Sequence, residues 1–382
     1  MALSTDVKRL VFEPSMNVPF FDLTRQFQQI GDDLHAAVDD VLTSQRCIGG
    51  PHVQAIEDRL ADLVGVSHAI GVSSGTDALL VSLMALDVGP GDEIITTPFT
   101  FFSPIGAILR RRAQPVFVDI DPRTFNLDAG QVEEKITERT RAILPVHLFG
   151  QACEMSTISK LACRHDIAVV EDMAQALDAR HQDRPVGSFG TTGCLSFFPT
   201  KNLGAAGDGG MVFCDDDELA QRIRLLCRHG ADPKYHHVAL GGNFRLDALQ
   251  AAILGVKLDH LRRWNDARRA HAAFYDEAFS DVDAITTPIE APSNHCVYNQ
   301  YTIRVPSRDR VHNALTERGV GTNVYYPEAL HTQPALSQLG YSTGDFPHAE
   351  RACREVLSLP VFPELTAQER QVVAESIIDV VG

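Results

Sequence analysis

The sequence predicts an α/β fold: an open, mostly parallel sheet in a large domain, followed by a smaller C-terminal α+β domain. Three observations predict it. From residue 53 to residue 172, helical-period runs alternate with short runs rich in Ile and Val. Those short runs are apolar without clean alternation, as expected of parallel strands covered on both faces. Near Asn243 the texture changes to long helices and then to mixed elements.

Folded sequence is expected to begin near Met16, with residues 1–16 a loose N-terminal extension. After Pro51, HVQAIEDRLADLVG carries Val53, Ile56, Leu60, Leu63 and Val64 at helical spacing. HAIGV then reads as a strand, TDALLVSLMAL as a helix, DEIITT as a strand and PIGAILRRR as a helix. PVFVDI continues as a strand, VEEKITERT as a helix and AILPVHL as a strand, with ISKLACRHD a helix and IAVVED a strand. Such repeated βα units imply right-handed crossovers within one open sheet. CLSFF reads as a further buried strand before a glycine-rich run. The stretch LDALQAAILGVKLDHLRRWNDARRAHAAFYDEAF reads as long helices. YTIRV is a strand, HNALTERG a helix and TNVYYP a strand, while ERACREVLSLP and TAQERQVVAESIIDVV read as helix, turn and helix. The large domain is placed at 17–260 and the small one at 261–382.

Composition narrows the function. The 382 residues carry a formal net charge of −16, which disfavours nucleic acid and anionic lipid as partners. An anionic ligand therefore needs a local site. No stretch of about 18 apolar residues suggests a membrane span, and the first residues lack a signal-peptide core, so a cytoplasmic location is expected. Eight cysteines stand at 47, 153, 163, 194, 214, 227, 296 and 353 without CxxC or metal spacing, and read as reduced thiols.

Ligands of open α/β sheets lie beyond the carboxyl ends of the strands, so the residues after each strand matter most. Ser73-Ser74-Gly75-Thr76-Asp77 follows HAIGV and opens a helix; it is either an ordinary N-cap or an anion cradle. Asp172 ends IAVVED. A carboxylate there is bonded to loop N–H groups or balances the charge of something bound. Lys201 sits between the strand-like run and GAAGDGG; it is a solvent-facing loop lysine or a desolvated amine fit for Schiff-base chemistry. Phe99, Phe101 and Phe102 are core residues or an aromatic wall. Taken together and in this order, they suggest pyridoxal 5′-phosphate (PLP). That cofactor needs an aldehyde-reactive lysine, an anion beside its ring nitrogen, a phosphate cradle and an aromatic wall.

SFFPTKN followed by GDGG, with VEDMAQA upstream and SSGTDAL before that, resembles the PLP-dependent nucleotide-sugar aminotransferases of the DegT/DnrJ/EryC1/StrS family. FFDLTRQF, PVHLFGQ, NFRLDALQAAIL, VYNQYTIRV and YYPEALHTQPAL extend the resemblance from residue 18 to the C-terminus. It implies an aspartate-aminotransferase-like fold (PLP fold type I) with a mixed, mostly parallel sheet, and a homodimer with sites shared across the interface. By position it makes Lys201 the Schiff-base lysine and Asp172 the partner of the pyridine nitrogen. Gln175 matches the polar residue beside the ring and its phenolic oxygen, and Phe101 the aromatic stacked on the ring. Gly75, Thr76 and Ser196 match phosphate binders, with Ser74 alongside. Asn243 resembles the asparagine that reaches the neighbouring subunit's phosphate, and Arg245 follows it. Tyr326 and His331 match positions near the sugar nucleotide. Two positions depart from the family pattern: Met173 replaces a small residue, and Asn299 stands where many relatives have histidine.

The implied reaction moves an amino group from L-glutamate to a keto-sugar nucleotide, with pyridoxamine 5′-phosphate (PMP) in the cycle. FFDLTRQF, QYTIRV and YYPEALHTQ look most like the branch acting on UDP-linked 3-keto hexoses, such as 3-keto-N-acetylglucosamine or its uronic acid, whose products feed lipopolysaccharide or lipid A assembly. The alternatives are a 4-keto-6-deoxy sugar 4-aminotransferase, a PLP-dependent sugar dehydratase, and a regulatory protein that only holds the cofactor. Some dehydratases of the family carry histidine at the lysine position, so Lys201 favours transamination. No GxGxxG follows a predicted strand, which argues against a nicotinamide dehydrogenase.

Overall fold

The computed structural model describes residues 16–382. The extension expected over 1–16 lies, apart from Met16, outside the described residues. Seven strands form the central sheet, in the order His68–Val72, Gly210–Cys214, Thr192–Ser196, Ala168–Asp172, Thr140–Ile143, Glu93–Thr96, Gln114–Phe117. Six run parallel. Only Gly210–Cys214 runs against its neighbours, pairing Val72 with Gly210 and Ser196 with Gly210 at its start. The sheet is thus mixed and mostly parallel. Its strands are buried almost throughout, which explains the unbroken Ile and Val runs.

Helices cover both faces. Pro51–Val64 begins on proline and stops at Gly65 in the left-handed region (φ 78°). Leu23–Ser44, which the sequence reading left without an element, is capped by Asp22, whose Oδ1 accepts from the Thr24 N–H at 2.9 Å. It packs on the helix Ala248–Leu258 through Val41, Ala248 and Ala252.

Three expectations are corrected. VEEKITERT is not a helix: residues Ala129–Gln131 and Glu133–Lys135 form two 3-10 turns. The Thr137 N–H is held by Thr140 Oγ1 at 2.9 Å, and Thr140 already belongs to the next strand, so too few residues remain to nucleate a helix. TNVYYP is not a strand; only Asn323 bridges Ser358, and Tyr325 and Tyr326 turn to the wall of a cavity. VLSL leaves the helix Pro347–Glu355 as the strand Val356–Leu359, antiparallel to Tyr301–Arg304.

That two-stranded pair lies in a second hydrophobic core with Tyr275, Phe279, Val373 and Ile377. Val18, near the start of the described chain, belongs to this core too, bridging Val320.

Candidate active site

A cavity of about 390 Å³ lies beyond the carboxyl ends of the parallel strands. Five of those strands contribute to it. Ser74, Gly75 and Thr76 follow His68–Val72, and Thr100 and Phe101 follow Glu93–Thr96. Val146 follows Thr140–Ile143, Asp172 and Gln175 come with Ala168–Asp172, and Ser196 ends Thr192–Ser196. Lys201 and Tyr326 also line it.

Asp172 and Glu171 are consecutive in one strand and so point to opposite faces. Glu171 is fully buried behind the sheet, where it accepts from His147 Nε2 at 2.9 Å, Gly187 N at 2.9 Å and Gly190 N at 2.7 Å. His147 Nδ1 accepts from the Cys153 N–H at 3.0 Å, so its proton is on Nε2 and the ring is a neutral donor. Asp172 lines the cavity. Its Oδ1 accepts from the Ala174 N–H at 3.0 Å, and its other oxygen has no partner among the described residues. Burial pushes the Asp172 carboxyl above the ordinary aspartate value, against the Ala174 hydrogen bond and the nearby Lys201. A buried carboxylate with a free oxygen calls for a cation or a charged N–H donor.

Lys201 is partly covered as a residue, but its amine is desolvated, and burial lowers its pKa to about 8 against the pull of Asp172. Its segment is held from within: the Lys201 N–H bonds Phe198 O at 2.9 Å, and the Ala205 N–H bonds Phe197 O at 2.8 Å.

The helix Gly75–Ala85 aims its N-terminus at the same space. Ser74 is its N-cap, accepting from the Asp77 N–H at 3.0 Å, so the N-cap reading of this stretch holds, and the residue also lines the cavity. The N–H groups of Gly75 and Thr76 have no acceptor among the described residues, as at any helix start. A Cβ on Gly75 would stand 2.6 Å from Ser196 Cβ, so glycine is what lets the helix end abut the strand end. Thr76 Oγ1 and Ser103 Oγ lie 2.7 Å apart.

Gln175 has a fixed orientation. Its Oε1 accepts from the Phe149 N–H at 2.7 Å, so the NH₂ end faces Tyr326 Oη, 3.4 Å away. Burial raises the Tyr326 phenol. Phe101 lines the cavity yet is 60% exposed, whereas Phe99 is core at 1%. Asn243 and Arg245 stand outside this wall, in an adjoining pocket of about 550 Å³ that shares Ser74 and Asp208. The structure does not bring His331 to the cavity. It is buried, with Nε2 3.1 Å from Glu350 Oε1 and its ring against Phe346. Asn299, the departing position, is also off the wall; its neighbour Gln300 is on it. Sequence reasoning missed Gln300, Ser103 and Asp208. Asp208 and Gln300 lie inside the motifs GDGG and VYNQYTIRV, and Ser103 left its trace as a hydroxyl at the start of a helix after the strand DEIITT.

These residues fit PLP on the structure's own terms: a desolvated amine, a buried carboxylate with one unused oxygen, and a helix N-terminus too tight for any side chain. The fold and the cavity define an aminotransferase. Residues 28–378 match the DegT/DnrJ/EryC1/StrS aminotransferase family, and the chain belongs to it. It is 49% identical over 366 residues to the "Pleiotropic regulatory protein" of Geobacillus stearothermophilus, covering 95% of this chain and 98% of the relative. It is 43% identical over 353 residues to a UDP-N-acetyl-3-dehydro-alpha-D-glucosamine 3-aminotransferase of Acidithiobacillus ferrooxidans, covering 92% and 95%. The crystal structure of NtdA from Bacillus subtilis with bound cofactor PMP superposes with a TM-score of 0.89 at 32% identity, over 97% of this chain and 86% of that one.

Proposed function

We propose that this protein transfers an amino group from L-glutamate to a UDP-linked 3-keto hexose such as UDP-3-keto-N-acetylglucosamine. The product is a 3-amino sugar nucleotide for lipopolysaccharide, lipid A or related glycan assembly. One observation carries the reading: the desolvated Lys201 amine and the buried Asp172 carboxylate line the same cavity as the N-terminus of the helix Gly75–Ala85. The 43% relative, named for a 3-keto UDP sugar, supports the carbon and the carrier. The Geobacillus relative's name describes regulation; the Lys201 and Asp172 arrangement favours chemistry in this chain.

The cofactor is PLP, alternating with PMP. When bound, it supplies the sink for the electron pair released at the substrate carbon. Gly75 and Thr76 N–H groups, with the hydroxyls of Ser74, Thr76 and Ser196, would hold its phosphate, helped by the helix dipole. The unused oxygen of Asp172 would accept from the ring nitrogen and keep a proton there. Gln175, its oxygen taken by Phe149, would offer its NH₂ to the phenolic oxygen. Phe101 would cover one face of the ring. Lys201 would be the general base that takes a proton from the donor Cα and the general acid that hands it on. Asn243 and Arg245 would serve a second copy of the chain, and Tyr326 would face the sugar.

The test is a panel of 3-keto and 4-keto UDP and dTDP sugars with L-glutamate, scored by 2-oxoglutarate release and by product NMR. Amination at C3 of the UDP sugar is the expected result. Amination only of 4-keto-6-deoxy sugars would overturn the substrate, and water loss from the sugar without 2-oxoglutarate would overturn the reaction.

A further inference from the structure

Three buried asparagines run as a chain behind Lys201. Asn265 Nδ2 donates to Leu177 O at 3.3 Å, Asn202 Nδ2 donates to Asn265 Oδ1 at 2.6 Å, and Asn299 Nδ2 donates to Asn202 Oδ1 at 2.7 Å. Asn202 Nδ2 also reaches Val297 O at 3.2 Å. All three residues are at most 6% exposed. The Leu177 carbonyl can only accept, so it sets Asn265, which sets Asn202, which sets Asn299. A single amide orientation therefore propagates through the row. Buried amides are costly unless bonded, and a bonded row in a dry interior is stiff.

The placement of the row is what matters. Asn202 follows Lys201 directly. Leu177 lies two residues after Gln175, and Asn299 directly precedes Gln300. Each of these neighbours lines the cavity. Asn265 belongs to the helix Leu261–Ala278, which none of the cavity residues shares. A second anchor acts on the same loop: Lys257 Nζ donates to Gly204 O at 2.8 Å. Gly204 itself has no room for a side chain, since a Cβ would lie 2.1 Å from Pro199 O.

We infer that Asn202, Asn265 and Asn299 are positioning residues that hold Lys201 in register with the Gln175 and Gln300 walls of the cavity. The inference rests on the reading of Lys201 as the reacting amine. None of the three asparagines lines the cavity, so they act through their neighbours. Proton transfer at a substrate carbon is sensitive to displacement of the base, and about 1 Å of drift costs on the order of 10²-fold in rate.

The experiment uses Asn202→Ala and Asn299→Ala. In the cofactor-free protein, reductive methylation of Lys201 is followed against pH by peptide mass spectrometry. This readout needs neither substrate nor turnover, so a wrong sugar leaves it intact. Loosening the segment admits water, relieves the burial that lowers the amine's pKa, and moves the midpoint up from about 8. The expected upward move is about one pH unit for Asn202→Ala, and smaller for Asn299→Ala, which leaves the bonds of Asn202 to Asn265 and Val297 in place. In the loaded enzyme kcat is expected to fall about 10²-fold and about tenfold respectively, with KM nearly unchanged. If Asn202→Ala does not fold, Asn299→Ala decides alone. An unmoved midpoint with unchanged kcat in the folded variants overturns the inference. A moved midpoint with no transaminase activity even in the wild type overturns the proposed function and leaves the frame standing.

Discussion

Lys201 experiences two opposed influences: burial discharges it and Asp172 charges it, and burial wins, leaving a pKa of about 8 against the ordinary 10.5. The sign for reactivity follows. Below pH 8 the amine holds its proton and is inert as a nucleophile; above it, the neutral form dominates. In the cofactor-free protein, Lys201 should therefore react half-maximally with an amine reagent near pH 8, which peptide mapping reads directly. Asp172→Asn tests the opposite partner. The amide keeps an oxygen for the Ala174 N–H but carries no charge, so the fold should survive with little change in Tm. Turnover should fall by at least about 10²-fold, measured as 2-oxoglutarate release. Equal loss of Tm and turnover would make Asp172 a structural residue. Both residues were legible in the sequence because each stands out against its surroundings: one cation among small residues, one carboxylate ending an apolar strand. His331 and Asn299 were not legible. Their partners, Glu350 and Asn202, are brought together only by the tertiary fold.

At the scale of single elements, strands and helices with strong periodicity followed the sequence, and those set by a few long-range contacts did not. Val356–Leu359 was hidden inside a helical pattern because its identity as a strand depends on Tyr301–Arg304 lying beside it. The helix Leu23–Ser44 is polar over most of its surface, with only Ile30 and Val41 buried, so its apolar stripe was too thin to read. Two helix starts carry predictions. Gly75→Ala forces a Cβ into Ser196, so the helix end must retreat from the strand. PLP affinity, measured by equilibrium dialysis, should drop more than tenfold while the far-UV spectrum stays native. At the last helix, Thr366 and Glu369 form a capping box, and Glu369 also binds Arg25 at 2.6 Å from the first helix. The Arg25 hydrogen bond, with the Thr366 backbone, holds the Glu369 carboxyl down to about 2 against an ordinary 4.5. A lowered carboxyl stabilises the fold fully above pH 4.5 and loses that contribution as the pH falls towards 2. Glu369→Gln should cost about 1–2 kcal/mol at pH 7 by urea denaturation, and the gap to the wild type should close progressively below pH 4.5. A gap constant from pH 7 to pH 3 would show that the ion pair contributes nothing.

For the molecule as a whole, the cavity has an open side. Phe101 and Phe198 line it, yet they are 60% and 51% exposed, and Ile48, 60% exposed, borders the adjoining pocket. Apolar side chains exposed at the mouth of a cavity mark a surface that is covered in use. A net charge of −16 makes nucleic acid or an anionic membrane a poor cover, and a second copy of the chain is the proposed one. Asn243 and Arg245 lie in the pocket next to Ser74, outside the wall of their own cavity, and the proposed second copy is what they would serve. If the site is shared in this way, Lys201→Ala and Asn243→Ala variants are each inactive alone but complement each other in a mixed dimer. Half of the dimers formed on random exchange are mixed, and one of the two sites in each has Lys201 from one chain and Asn243 from the other. Mixing the purified variants under mild denaturant, then removing it, should restore about a quarter of wild-type activity. Sites confined to one chain would restore none, because every chain in the mixture lacks one of the two side chains.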